Sequence, residues 1–307
     1  MRMFFLKAFT FTFVASNEQP MEPPKSIPYE LLAAYSWSIS LEYFYVDDSN
    51  SGQGTHYVFN QDEINNYVEA TRKYMVQNDE NDLVIDCNIH NLNLCRKQLI
   101  RIGLQVALLR TYGSNFSNFD LAVVFGSSEP WVEAIAIAFG CKNITTIDYN
   151  KLTYGENIIT ISKESFYQFY SNTLDKFDVA FSMSSFDHDG LGRYGDPLNP
   201  IGDILAMRNV HRVLKDDGRM FLSLPIGPDL VVFNTLRRYG VIRLPLILTG
   251  TLTYFHFQHK LACLHLFLNI THTIKKYSVA WNRLARIGST APPGAIRRLY
   301  PVSRTCR

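Results

Sequence analysis

Leu121-Ala122-Val123-Val124-Phe125-Gly126-Ser127-Ser128-Glu129-Pro130 opens the stretch whose reading decides the fold. Five apolar residues in succession, with no alternation, suit a central parallel strand buried on both faces. Gly126-Ser127-Ser128 reads as a turn. Pro130–Phe139 reads as a helix, with Pro130 in the first turn, where no amide donor is needed. Gly140 ends it, and Asn143–Tyr149 follows as a second strand closed by Asp148. Beyond it the spacing predicts a short strand over Asn157–Ile161, a helix over Glu164–Tyr170 and a strand over Phe177–Ser184. A helix over Ile204–Leu214 presents Ile204, Met207, Val210 and Leu214 on one face. Asp217-Gly218 makes a turn into a fifth strand, Arg219–Leu224, stopped by Pro225. Strands alternating with helices build right-handed βαβ units, so the expected fold is α/β, Rossmann-like and doubly wound, with a mainly parallel sheet.

Ligands of such sheets bind beyond the carboxyl ends of the strands, at the switch point. Three segments converge there: Gly126–Glu129, Asp148–Asn150 and Ser184–Pro200. Asp148 lies 22 residues after Gly126, where an acid can accept hydrogen bonds from the ribose hydroxyls of an adenosine. The first loop lacks the GxGxxG that lets a backbone approach a pyrophosphate; Gly126 is followed by Ser127, Ser128 and Glu129. A Glu129 carboxylate at the helix N-terminus would repel a dinucleotide. It suits a ligand without phosphates and with a cationic amino acid end, a description that S-adenosylmethionine meets. Gly126, Ser127, Ser128, Glu129 and Asp148 are therefore the expected cofactor-binding residues. Glu129 also complements the helix dipole, which alone explains an acid there. Trp131 reads as core more readily than as a cover for the cofactor.

The loop after the fourth strand, SSFDHDGLGRYGDP (Ser184–Pro197), packs Asp187, His188, Asp189, Arg193, Tyr194 and Asp196 among three glycines. His188 beside Asp187 and Asp189 is the expected catalytic group, a general base whose protonated form a carboxylate favours. Two other readings stand beside it. One is an Asp/His metal site, for which one histidine and two near-adjacent acids are thin ligands. The other is a structural loop bridged by Arg193 and turned at Asp196-Pro197. No metal is expected.

Upstream, Pro20, Pro23, Pro24 and Pro28 open an irregular stretch that runs to residue 60. Asp62–Val76 and Leu92–Tyr112 have helical spacing, the second with a stripe of Leu94, Ile100, Leu104, Ala107 and Leu108. Residues 17–119 thus read as an N-terminal helical arm. Met1–Ser16 weakly resembles a signal or targeting segment, but Lys7 interrupts an apolar run too short to span a bilayer. A cytoplasmic location is favoured over the secretory pathway. The five cysteines, Cys87, Cys95, Cys141, Cys263 and Cys306, form no CxxC pair. Their odd count argues against a complete disulfide framework, and none has a second cysteine at zinc spacing.

Phe177-Asp178-Val179-Ala180 and His211-Arg212-Val213-Leu214-Lys215-Asp216-Asp217-Gly218-Arg219-Met220 resemble the second half of class I methyltransferases. There a strand-four "FDvv" and an "RvLkpgGr" turn into strand five are usual. A narrower resemblance rests on VVFGSSEPWVEAIAIAFGCKNITTIDYN (Val123–Asn150), on SSFDHDGLGRYGDPLNPIGDILAMRNVHRVLKDDGRMFLSLPIGPD (Ser184–Asp229) and on RRYGVIRLPLIL (Arg237–Leu248). These segments are similar to an uncharacterised eukaryotic domain-of-unknown-function family that is common in nematodes. The resemblance implies a methyltransferase-like fold over residues 120–250 and leaves the reaction open.

Ordinary members of this fold continue into two more strands. Thr251–Phe257 and Leu261–Thr273 qualify by composition, but residues 251–307 hold nine Lys or Arg and no acid. The rest of the chain carries 21 basic and 28 acidic residues, a net of −7. With His256, His259, His265 and His272 clustered, residues 251–307 are expected to be an atypical basic tail rather than a completion of the domain. The rival expectation is a basic arm for an anionic membrane or nucleic acid, although no aromatic-basic interleaving favours nucleic acid.

Three functions follow, in order. The first is S-adenosylmethionine-dependent methyl transfer to a small-molecule or glycan-like acceptor. The second is a catalytically inactive binding or scaffold protein on a degenerate methyltransferase fold, motivated by the depleted glycine loop. The third, disfavoured by the missing GxGxxG, is a nicotinamide-dependent oxidoreductase.

Overall fold

The structure is a computed structural model that describes residues 21–35, 38–77, 92–112, 119–170, 176–249, 252–256 and 265–271. Before the sheet come α1 (Tyr29–Tyr35), β1 (Ser40–Tyr43), β2 (His56–Phe59), α2 (Gln61–Gln77) and α3 (Leu92–Tyr112). The first half of the sheet follows with β3 (Leu121–Phe125), α4 (Trp131–Ala138), β4 (Asn143–Asp148), β5 (Lys151–Tyr154), β6 (Ile158–Ser162) and α5 (Lys163–Tyr170). The second half contains β7 (Phe177–Met183), α6 (Gly202–Val213), β8 (Leu214–Pro225), β9 (Leu230–Phe233), β10 (Leu236–Arg238) and α7 (Arg243–Ile247). It ends in β11 (Leu252–His256) and β12 (His265–Thr271).

The apolar run 121–125 forms β3 at the centre of a seven-stranded sheet, ordered β11-β12-β8-β7-β3-β4-β6. Side chains alternate across the pleat. Ala122 and Val124 join one core with Ile64 and Val68 of α2, Leu104 and Leu108 of α3, and Val132 and Ile135 of α4. Val123 and Phe125 join the other with Phe166 of α5 and Met207 and Val210 of α6. Helices thus cover both faces, which is why β3 needs no polar position. β6, β4, β3, β7 and β8 run parallel. The chain winds outward from β3 to β6, returns to the other side of β3 as β7, and winds on to β8. The switch point lies between β3 and β7. This is the Rossmann-like, methyltransferase-like order that the sequence implies.

The boundary expected at residue 250 falls inside the sheet. β12 pairs antiparallel with β8 from His265↔Pro225 to Thr271↔Arg219, and β11 pairs antiparallel with β12. The ladder uses backbone groups, which are indifferent to the absence of acids and the clustered histidines on which the tail reading rested. Residues 272–307 and the Met1–Ser16 segment lie outside the described residues. Among the described residues no helix is long and apolar enough to cross a membrane.

The arm over 17–119 is not purely helical. β1 pairs parallel with β9, and β2 pairs parallel with β5. Four-residue strands are too short to show a period, and their partners β5 and β9 are equally short. The Asp217-Gly218 turn is absorbed into β8 as a bulge, where the register moves from Phe177↔Leu214 to Val179↔Arg219. A third apolar cluster, Leu31, Tyr35, Leu191, Val231 and Phe233, ties α1 and β9 to the loop after β7.

Candidate functional site

At the carboxyl ends of β3, β4 and β7 a cleft of about 160 Å³ is lined by Gly126, Ser127, Ser128, Asp148, His188 and Asp189, together with Trp131, Tyr149, Lys163 and Tyr194. Gly126 turns the chain out of β3 with φ +75°, and its N–H donates to the carbonyl of Ile147 at 2.8 Å. A Cβ there would lie 2.0 Å from Oγ of Ser185, so both the backbone angle and the close approach require glycine.

Ser127 is the knot of the turn. Its N–H donates to Oδ2 of Asp148 at 2.9 Å, and its carbonyl accepts from the Tyr154 hydroxyl at 2.6 Å. Its Oγ lies 2.9 Å from the Glu129 carbonyl and 3.1 Å from Oε2 of Glu133. Glu133 is fully buried on α4 and also accepts from Oγ1 of Thr146 at 2.8 Å. Burial pushes its carboxyl up to about 7. Asp148 is half-buried. Its Oδ1 accepts the Asn150 amide at 2.7 Å, and burial raises its carboxyl above the ordinary value against the pull of the two amides.

Glu129 is not brought to the cleft. It points outward to Arg101 of α3, with Nη2 and Oε2 at 3.5 Å, and the Arg101 guanidinium lies 5.5 Å from the centroid of the Trp131 ring. The repulsion of a pyrophosphate by Glu129 therefore has no geometric support. The carboxyl beneath the turn is that of Glu133, one helical turn further on. Trp131 is both things at once, packed on the core and part of the cleft wall.

The loop after β7 is a built structure. Asp196 is buried and accepts the amides of Gly190 (2.7 Å), Gly192 (3.0 Å) and Tyr194 (3.1 Å). Arg193 pairs with Asp48 of the arm at 2.6 Å, not with the loop's own acids. Asp189 is buried and paired with Nζ of Lys163 at 2.5 Å, and burial pushes it up to about 6 against that pull. Lys163 also lies 4.3 Å from the centroid of the Tyr149 ring. His188 Nδ1 meets the carbonyl of Thr235 at 2.5 Å, a contact in which the nitrogen must be the donor. Its Nε2 lies 3.6 Å from Oδ2 of Asp187. Asp187 is fully buried behind the histidine, outside the cleft lining, and its Oδ1 has no hydrogen-bond partner.

Sequence reasoning thus names the three segments that line the cleft, Tyr149 among them. It singles out neither Lys163 nor Glu133. A single acid inside the apolar run WVEAIAIA is the signal that marks Glu133; nothing in the sequence singles out Lys163. Among the described residues no group of three His, Cys, Asp or Glu side chains is disposed to hold a metal ion.

The strand order and a cleft at the switch point define a Rossmann-like α/β protein of the methyltransferase type. Residues 120–276 match the family described as Caenorhabditis protein of unknown function, DUF268, and the chain belongs to that family. The match runs past residue 250 through β11 and β12, which corrects the limit expected from the sequence. No curated protein matches the chain. Among solved structures, Burkholderia thailandensis 1,6-didemethyltoxoflavin-N1-methyltransferase with bound S-adenosylhomocysteine is similar at 13% identity and TM-score 0.45. That similarity covers 68% of this chain and 90% of the other. Magnesium protoporphyrin IX methyltransferase of Synechocystis PCC 6803 is similar at 9% identity and TM-score 0.40, over 66% of this chain and 94% of the other. At these scores the strand order, not the superpositions, carries the fold.

Proposed function

We propose that the cleft binds S-adenosylmethionine and transfers its methyl group to a small-molecule or glycan-like acceptor. The observation that carries this reading is the Asp148 carboxylate. Each oxygen accepts one backbone amide, from Asn150 and from Ser127. The carboxylate lines the cleft at the end of β4, where ribose hydroxyls can donate to it. Lys163 of the lining is tied to Asp189, so the lining side chains offer no uncommitted cation for a phosphate. The residues present fit a phosphate-free nucleoside.

When bound, the cofactor supplies an electrophilic methyl group on a sulfonium. Asp148 accepts the ribose hydroxyls, and Gly126, Ser127 and Ser128 line the amino acid end. His188, with its Nδ1 proton committed to Thr235, takes the acceptor's proton at Nε2, which lies 3.6 Å from Oδ2 of Asp187. Asp189, committed to Lys163, positions the loop. Calorimetric titration with S-adenosylmethionine tests the reading: the wild-type protein binds, and Asp148→Ala binds at least about tenfold more weakly, as a lost charge-assisted pair requires. A wild-type protein that takes up no heat of binding defeats it.

A second reading, a binding protein without catalysis on the same fold, is favoured by the Ser185 side chain pressed against Gly126, where protein rather than ligand fills the turn. It expects a well-folded protein whose melting temperature S-adenosylmethionine leaves unchanged.

A further inference from the structure

Three bonds from Thr235, in the turn before β10, and Arg237 of β10 converge on His188 and its two neighbours. The Thr235 carbonyl accepts its Nδ1 proton at 2.5 Å. Two residues further along, the Arg237 backbone N–H donates to the carbonyl of Asp187 at 2.9 Å, and its Nη1 donates to the carbonyl of Asp189 at 2.5 Å. The residues on either side of the histidine are thus held by one arginine, and the histidine ring by the carbonyl beside it. The remaining donors of Arg237 extend the grip, with Nη2 to the Asn199 carbonyl at 3.1 Å and Nε to the Tyr35 hydroxyl at 3.0 Å. Arg237 is fully buried, and Asp203 at 4.0 Å is its nearest carboxylate. An arginine buried mainly to bind backbone carbonyls is expensive, and lysine cannot replace it because only a planar fork reaches several acceptors at once.

We propose that Thr235 and Arg237 form a clamp that fixes the ring orientation and tautomer of His188, making Arg237 the positioning residue of the cleft. The clamp delivers the histidine with its proton on Nδ1 and its Nε2 lone pair available. The arrangement reaches beyond the loop, because Thr235 Oγ1 donates to the Phe44 carbonyl at 2.7 Å and Asn234 exchanges two bonds with Val46. The N-terminal arm therefore braces the β9–β10 turn that holds the histidine. The functional meaning rests on the proposed role of His188, but the clamp itself is testable without any cofactor.

The experiment is ¹H–¹⁵N correlation of the histidine rings in ¹⁵N-histidine-labelled full-length protein, with the His188 signal assigned by its loss in His188→Gln. The wild-type protein should show His188 as the Nδ1–H tautomer with a slowly exchanging ring proton. In Arg237→Lys and Arg237→Gln the signal should move toward averaged tautomers and fast exchange, while Arg238→Ala, on the same strand but bonded to Pro228, leaves it unchanged. A wild-type His188 protonated on Nε2 alone overturns the proposal, even if both Arg237 variants fail to fold. A folded Arg237→Gln with the wild-type signal overturns it as well. Failure of S-adenosylmethionine to bind would sink the proposed function and leave this result standing.

Discussion

Replacing Glu133 with glutamine should make stability less dependent on pH, by an amount that the structure sets. Ser127 has one hydroxyl proton and two oxygens within reach, the Glu129 carbonyl at 2.9 Å and Oε2 of Glu133 at 3.1 Å. Ser127 and Thr146 can both donate to the Glu133 carboxylate, which pulls its pKa down, and complete burial opposes them. Burial outweighs those bonds and pushes the carboxyl up to about 7 from 4.5. The folded state holds a proton that the unfolded state has released. The stabilisation is complete below about pH 4.5, is lost as pH rises to about 7, and changes no further above it. A window of about 2.5 pH units at about 1.4 kcal/mol each is worth roughly 3 kcal/mol. Glutamine reproduces the neutral acid, with its amide donating to Ser127 and its carbonyl accepting from Thr146, and it does not titrate. Urea unfolding of both proteins from pH 5 to pH 8 is the assay. The Gln variant should gain on the wild type across that range by up to roughly 3 kcal/mol. A difference that stays flat with pH would show Glu133 ionised throughout and would refute the argument.

Gly126→Ala should destabilise the fold by about 1–3 kcal/mol, and Ser185→Ala should not rescue it, because the Ser185 Cβ already lies 2.6 Å from the added methyl; thermal melts of the single and double variants decide this. Lys163→Met strands the buried Asp189 carboxylate and should cost about 3–5 kcal/mol at pH 8. The double variant Lys163→Met with Asp189→Leu should recover most of that in denaturant titrations. Asp196→Ala frees the amides of Gly190, Gly192 and Tyr194, and their hydrogen exchange should accelerate while that of the β7 amides does not. Truncation after Thr249 bares the β8 edge from Arg219 to Pro225. The truncated chain should aggregate on size-exclusion chromatography, whereas a monomer as stable as the full chain would mean β11 and β12 are dispensable.

Legibility in the sequence followed how much of each element's pattern is local. β3 and α3 are read to the residue, because a doubly covered strand is an uninterrupted apolar run and a long helix repeats its stripe several times. β1, β2, β5, β9 and β10 escape, being four residues or fewer and defined by partners far away in the chain; β1 and β9, for example, pair across Ser40↔Leu230. The pairing of Leu252–His256 and His265–Thr271 onto the sheet has a different cause. Charge composition does not report it, because a strand at the end of a sheet is specified by its backbone ladder and its apolar residues, not by a balance of acids and bases.

The site divides along the same line. Topology alone brings Gly126, Asp148 and His188 together, since each sits where a parallel strand ends, and strand ends are legible. Which way a side chain turns from there is a matter of partners. Glu129 turns out to Arg101 because α3 offers a cation outside and the cleft does not need one. Glu133 turns in because Ser127 and Thr146 are there to receive it. Asp187 and Asp189, two residues apart, part company: one sits behind the histidine, the other on Lys163. The deciding groups, Arg101, Lys163, Thr146 and Arg237, come from four separate elements. A sequence pattern that names the acids therefore cannot assign their roles, because the partners that orient them lie far away in the chain.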